Sequence, residues 1–131
     1  LALNVSQTLC HKGVAWEWDG VSFAFIHPDQ EEVWEGNNQS CVLKVCGNNE
    51  CALLTGDIEK RVEQQLCAQQ HDLEAAVLIA PHHGSKTSST DVFLQAVNPV
   101  DIVISEVKHK VPNRWRKNAR VYYPYYYREL Y

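Results

Sequence analysis

Two short apolar runs, each ending abruptly in residues capable of chemistry, constrain this chain more than any other feature. The first is Leu53-Leu54 followed by Thr55-Gly56-Asp57. The second is Ala76-Val77-Leu78-Ile79-Ala80 followed by Pro81-His82-His83-Gly84-Ser85. Between them Ile58, Val62 and Leu66 recur at four-residue spacing, which predicts an amphipathic helix from Ile58 to Gln70. The unit therefore reads strand, Asp, helix, strand, His-His. In an open sheet covered by helices, ligands sit at the carboxyl ends of the strands. Two neighbouring strand ends would present a carboxylate and two imidazoles to one edge, a donor set with metal-site character.

The flanks supply the rest of a sheet. Ala15 to Trp18 and Val21 to His27, around Asp19-Gly20, predict a β-hairpin, because both turn residues tolerate positive φ. Residues 28–39 combine a proline, several acids and Asn37-Asn38, and read as an exposed loop. Ser40 to Cys46 and Cys51 to Leu54 predict a second hairpin. Beyond the polar loop Gly84 to Ser89, Thr90 or Asp91 can cap a short helix, Val92 to Val97, that Asn98-Pro99 stops. Val100 to Val107 predicts a further buried strand. Hairpins followed by alternating strand and helix indicate an α/β (α+β) fold.

At 131 residues, 45% of them apolar, the chain is one small domain or part of a larger one. It starts at Leu1 and holds no methionine, which reads as a piece of a longer chain. No apolar run approaches the roughly 18 residues of a membrane span, and nothing resembles a signal peptide. The five cysteines include no Cys-x-x-Cys, which argues against a zinc knuckle. Cys46 and Cys51 would face each other across a hairpin loop, so a cross-strand disulfide is one reading; buried thiols acting as small hydrophobes are the favoured one. The net charge of −4 hides an asymmetry: residues 1–106 hold five Lys/Arg against fifteen Asp/Glu, whereas 107–131 hold seven against one.

Leu53-Leu54-Thr55-Gly56-Asp57-Ile58-Glu59, the run from Ala80 to Thr90, and Phe93 to Glu106 together resemble the metallo-β-lactamase-like domain of the ComEC family of DNA-internalisation competence proteins. Trp16 to Val21, Phe25 to Pro28 and Asn38 to Leu43 extend the resemblance, which runs from about Gly13 to Asn113. It implies the second half of an αββα sandwich, a mixed sheet with flanking helices. Residues 1–131 would then be a partial domain, with 1–107 as sheet and helix core and 108–131 as a basic, tyrosine-rich tail. The parent would be an inner-membrane protein, with this soluble domain on its periplasmic or extracellular face.

The resemblance also implies chemistry. Asp57 would bridge divalent metal ions, Zn or Mn, that generate hydroxide near neutral pH; its alternative is a helix N-cap. One of His82 and His83 would be a metal ligand and the other would orient a ligand or touch a substrate phosphate, since neighbours on an extended segment point opposite ways; otherwise both bond loop backbone. Ser85, Lys86, Ser88 and Ser89 suit a phosphodiester backbone and suit an ordinary solvated loop equally. Arg114, Trp115, Arg116, Lys117 and Arg120 suit single-stranded DNA, with cations on phosphates and rings on bases; packing against the fold is the alternative. Glu106 ends the last strand on the functional edge.

The chain departs from the family at two places. No His-x-His-x-Asp-His occurs, and Arg116-Lys117-Asn118 stands where a Gly-His-Pro commonly follows the Asn-Arg-aromatic step. A catalytic zinc usually has three protein ligands, so this chain alone is expected to be inactive. The expected function is DNA handling or hydrolysis during transformation by the parent protein, with single-stranded DNA, the rest of that protein and other competence proteins as partners. The alternative is a non-catalytic DNA-binding or structural domain with a degenerate metal site; a hydrolase of small esters or lactams ranks third.

Overall fold

The structure is a computed structural model that describes residues 4–69, 72–106 and 111–124. The Asp19-Gly20 turn forms as the sequence predicts, with φ of 50° and 78°, and joins β1 (Ala15–Trp18) to β2 (Val21–His27). β3 (Val42–Cys46) and β4 (Cys51–Leu54) continue the antiparallel meander. Then the chain changes habit. β5 (Val77–Ile79), β6 (Asp101–Val103) and β7 (Arg120–Tyr122) add in parallel, each after a crossover, giving one seven-stranded sheet in chain order.

Two crossovers carry helices, α1 (Lys60–Ala68) and α2 (Asp91–Val97). α1 is shorter than expected, whereas α2 matches the expectation and starts one residue earlier, at Asp91. α1 begins after Ile58, whose fully buried side chain anchors the approach from the loop instead. Thr90 caps α2 with its hydroxyl on the Phe93 amide, and Asn98 ends it in a left-handed conformation. β6 spans three residues, shorter than the predicted strand, and Val107 lies outside the described residues. Arg120 to Tyr122 belongs to the sheet, so over its described part the basic segment is not an appended tail. Tyr125, Tyr126 and Tyr127 lie outside the described residues.

Parallel crossovers are right-handed, and successive steps in one direction put both helices on one face. That face holds the core: Val42, Leu53, Leu78 and Ile102 from the strands meet Val62, Leu66, Phe93 and Val97 from the helices, none more than 2% exposed. The opposite face is apolar and, among the described residues, uncovered. It carries Trp16, Phe23, Phe25, Leu43, Val45, Leu54, Ile79, Val103 and Tyr122 in one cross-strand array, with Trp16 43%, Leu54 40% and Tyr122 47% exposed.

A buried carboxylate ties the helices to the loop that precedes α2. Glu63, with no exposed surface, accepts from the Ser89 amide at 2.6 Å, the Thr90 amide at 2.8 Å and the Thr90 hydroxyl at 2.9 Å. Burial raises its pKa, and the same three donors pull the other way. Removing the carboxylate would strand the buried Ser89 amide, at roughly 1–3 kcal/mol, and the half-buried Thr90 amide beside it.

Two disulfides close the upstream half, Cys10–Cys41 and Cys46–Cys51, leaving Cys67 as the free thiol. The favoured reading of Cys46 and Cys51 as buried thiols is therefore corrected. They are directly paired residues on β3 and β4, within bridging reach at a Cα separation of 4.1 Å. The pairing of Cys10 with Cys41 had no signal in the sequence. Thiol titration in denaturant without reductant is expected to find one thiol, and five after reduction; three or five before reduction would contradict the pairing.

Candidate functional site

The ends of β4 and β5 are stitched together by their own chemistry. The buried Thr55 hydroxyl donates to the Ile79 carbonyl at 2.7 Å, and the His82 amide donates to the Gly56 carbonyl at 2.9 Å. Gly56 has φ +56°, and a Cβ there would lie 2.8 Å from the Ser40 Cβ. Only glycine satisfies both demands. Asp57 follows at once, exposed enough to meet a ligand, with its side chain 40% accessible.

Pro81 to Gly84 does not run extended. His82, His83 and Gly84 take φ of 50°, 54° and 77°, a left-handed turn of three residues. For the two histidines this costs roughly 1–2 kcal/mol each, offset by the His82 amide bond and by Ser85 closing onto the His82 carbonyl. Gly84 packs at ordinary distance on Ile104 and Trp115, so its glycine answers to φ and not to space.

The turn sends the two imidazoles apart, as expected, though not by strand alternation. Their ring centroids are 6.3 Å apart. His83 faces Asp57, with Nε2 3.3 Å from Oδ1, and its Nδ1 lies 3.0 Å from the Ser105 hydroxyl. His82 faces a different set. Its Nδ1 lies 3.0 Å from the Thr87 hydroxyl and 3.8 Å from the Glu59 carboxylate, and Nε2 lies 3.4 Å from the Asn37 amide nitrogen. An amide NH2 can only donate, so this contact suits a ring that accepts at Nε2.

The loop before β3 forms a third wall that the sequence did not reveal. Its 3-10 turn, Gly36–Gln39, sits over the Asp57 corner. Ser40 donates to the Asn37 carbonyl at 2.7 Å and accepts from the Asp57 amide at 3.1 Å, while the Asn38 side chain accepts from the Glu59 amide at 2.9 Å. Asp57 is thus not the cap of α1, whose N-cap position falls on Glu59. From below, buried His27 meets the Asn38 carbonyl at 2.7 Å through Nε2 and packs edge-on against Trp34.

The residues expected to contact nucleic acid divide. Ser85 bonds Thr87 within the loop, and Lys86 and Lys117 are exposed. Ser88 and Ser89 are buried; the Ser88 hydroxyl donates to the Ile58 carbonyl at 2.6 Å. Trp115, 4% exposed, packs beneath Gly84 and offers no face for a base to stack on. Arg114 is engaged by Asp91 and the Ser89 carbonyl, Arg116 by the Tyr123 hydroxyl, and Arg120 by both oxygens of Asp101 at 2.7 and 3.1 Å. Beyond the end of β6 it is the Ser105 hydroxyl that meets a histidine.

A carboxylate and an imidazole 3.3 Å apart are the right donor types for a divalent metal. They are too few for a complete centre: no group of three or more His, Cys, Asp or Glu able to hold a metal occurs among the described residues. Among the described residues, the pair would make up two of the three protein ligands that a catalytic zinc usually takes.

No protein-family model matches the chain. Its relatives are nonetheless clear. It is 42% identical over 91 residues to competence protein ComA of Neisseria gonorrhoeae, covering 69% of this chain and 13% of that protein. It is 40% identical over 108 residues to YcaI of Escherichia coli K12, an uncharacterised protein, covering 82% and 14%. Recombination protein 2 of Haemophilus influenzae is 35% identical over 99 residues, covering 76% and 12%. The chain thus spans about one eighth of the length of these relatives. A crystal structure from Thermotoga maritima, assigned as a Zn-dependent hydrolase of the metallo-β-lactamase superfamily, aligns over 89% of this chain and 71% of its own. The TM-score is 0.49 and the identity 13%.

His27 makes the loop that walls the site sensitive to pH. Burial lowers its pKa from 6.5, outweighing the Asn38 carbonyl and the nearby Asp29 and Glu32. The folded state therefore prefers the neutral ring. Its contribution to stability is fully present above 6.5 and is lost as pH falls from there through the folded pKa. Urea unfolding of wild type is expected to show this loss, and His27→Gln to flatten it over that window. An identical pH slope in both would contradict the assignment.

Proposed function

The chain belongs to the ComEC family of competence proteins, as a homologue of a short segment of its longer members, and from that premise we propose that it supplies one side of a metallo-hydrolase-like site that handles DNA during uptake. The observation that carries this reading is the meeting of Asp57 and His83 at the ends of adjacent parallel strands. In the proposed arrangement these two residues would hold a divalent metal, Zn or Mn, completed by ligands from elsewhere in the parent protein. The metal would supply Lewis acidity toward a phosphodiester. Asp57 is held at its backbone by Ser40, and His83 is held at its ring by Ser105. His82, oriented by Thr87, Glu59 and Asn37, is the group placed to exchange a proton with the substrate. Lys86 and Lys117 remain the exposed cations for the phosphate backbone of single-stranded DNA.

Two features support placing the domain in a larger assembly on the oxidising side of the membrane. The uncovered apolar face has the strand alternation of an inner sandwich face, so the second β-layer of the domain is its proposed cover. Two disulfides favour a periplasmic or extracellular location. No described helix is long and apolar enough to cross a membrane; the proposed membrane anchorage belongs to the rest of the parent.

A second reading, a DNA-binding or structural domain whose metal site has degenerated, is favoured by the two-ligand count. The intact parent protein separates the two. Asp57→Ala is expected to reduce metal-dependent hydrolysis of single-stranded DNA by at least about a hundredfold, while salt-sensitive DNA binding persists. A parent protein that binds but never cleaves, under Zn²⁺ or Mn²⁺, would favour the second reading; wild-type cleavage by a folded Asp57→Ala variant would end the first.

A further inference from the structure

We propose that Ser105 is the positioning residue of His83, one that holds the ring in place whichever nitrogen carries the proton. Ser105 lies two residues beyond the end of β6, directly after Ile104, whose amide donates to the Tyr122 carbonyl, so the chain is anchored just before it at the strand-end edge. There its hydroxyl is 3.0 Å from His83 Nδ1, and Asp57 Oδ1 is 3.3 Å from Nε2. Both ring nitrogens are occupied, which sets the orientation of a side chain whose backbone is already confined to the left-handed region.

The identity of the residue matters. A carboxylate only accepts, whereas a hydroxyl can donate or accept by rotating its proton. With the proton on Nε2, His83 donates to Asp57 and accepts from Ser105 at Nδ1. With the proton on Nδ1, His83 donates to Ser105 and turns the Nε2 lone pair toward Asp57, the state a metal ligand requires. A backbone carbonyl at this place would support only the second state, and an alanine neither. The positioning itself is independent of any metal; its use in chemistry rests on the function proposed above.

The test is long-range ¹H–¹⁵N spectroscopy of the histidine-labelled chain, comparing wild type, Ser105→Ala and Ser105→Thr at fixed pH. In Ser105→Ala the His83 ring nitrogens are expected to move toward the averaged shifts of a free imidazole. Ser105→Thr should keep the wild-type pattern, and His82 should be unmoved in both, which reports that the loop is intact. Unchanged His83 shifts in Ser105→Ala would overturn the proposal. So would covalent labelling of Ser105 by a fluorophosphonate probe, which would make it a nucleophile. Addition of Zn²⁺ separates this from the metal reading: His83 should respond in wild type at about tenfold lower Zn²⁺ than in Ser105→Ala. A wild-type His83 indifferent to Zn²⁺, with the alanine effect intact, would retire the metal reading and leave the positioning role standing.

Discussion

Two hydrogen bonds fasten the end of β4 to the end of β5, from the Thr55 hydroxyl to the Ile79 carbonyl and from the His82 amide to the Gly56 carbonyl, and the site depends on them. Each strand is only three or four residues long, too short for ladder bonds alone to fix the residues beyond its end. With the two ends joined, Asp57 and the left-handed histidine turn cannot separate without breaking buried polar contacts. The Ser40 side chain then closes the corner from one side, and Glu63 holds the far end of the histidine loop from the other. The corner that carries Asp57 is thus held by hydrogen bonds to backbone.

Much of this is legible in the sequence, because the physics is local. Alternation marks the hairpins, the Asp-Gly turn dictates its own geometry, and Ile58, Val62 and Leu66 name the residues buried around α1 even where its boundaries shift. Thr-Gly-Asp and His-His-Gly mark the corner where Asp57 and His83 meet, because each stands at the end of an apolar run that becomes a strand. The hidden part is non-local. Residues 36–40 look like any polar loop until β3 carries them back over Asp57. Ser105 has no signal that sets it above Glu106, since the choice turns on where β6 leaves the sheet. The expected extended His82-His83 segment is instead a turn, because the His82 amide bonds to Gly56 and draws the chain back on itself. Composition suits Trp115 to base stacking, but the space beneath Gly84 claims it for the core.

The sheet has one finished face and one unfinished face, and the site lies at the edge between them. The finished face buries aliphatic side chains under α1 and α2. The unfinished face offers tryptophan, phenylalanine, leucine and valine to whatever packs on it, and apolar area of that extent normally marks an interface. The same incompleteness recurs at the chemical level, where a carboxylate and an imidazole meet without a third donor among the described residues. In the parent protein proposed above, a second layer laid against the bare face would cover it and would bring further side chains to the same edge.

The most direct measurement is anomalous diffraction at the zinc edge from crystals of the intact parent domain grown with Zn²⁺. A shared metal site predicts a peak about 2.0–2.2 Å from the Asp57 carboxylate and the His83 Nε2, with His82 outside the coordination sphere. A peak on His82 in place of His83, or Asp57 and His83 on separate sides of the edge, would contradict it.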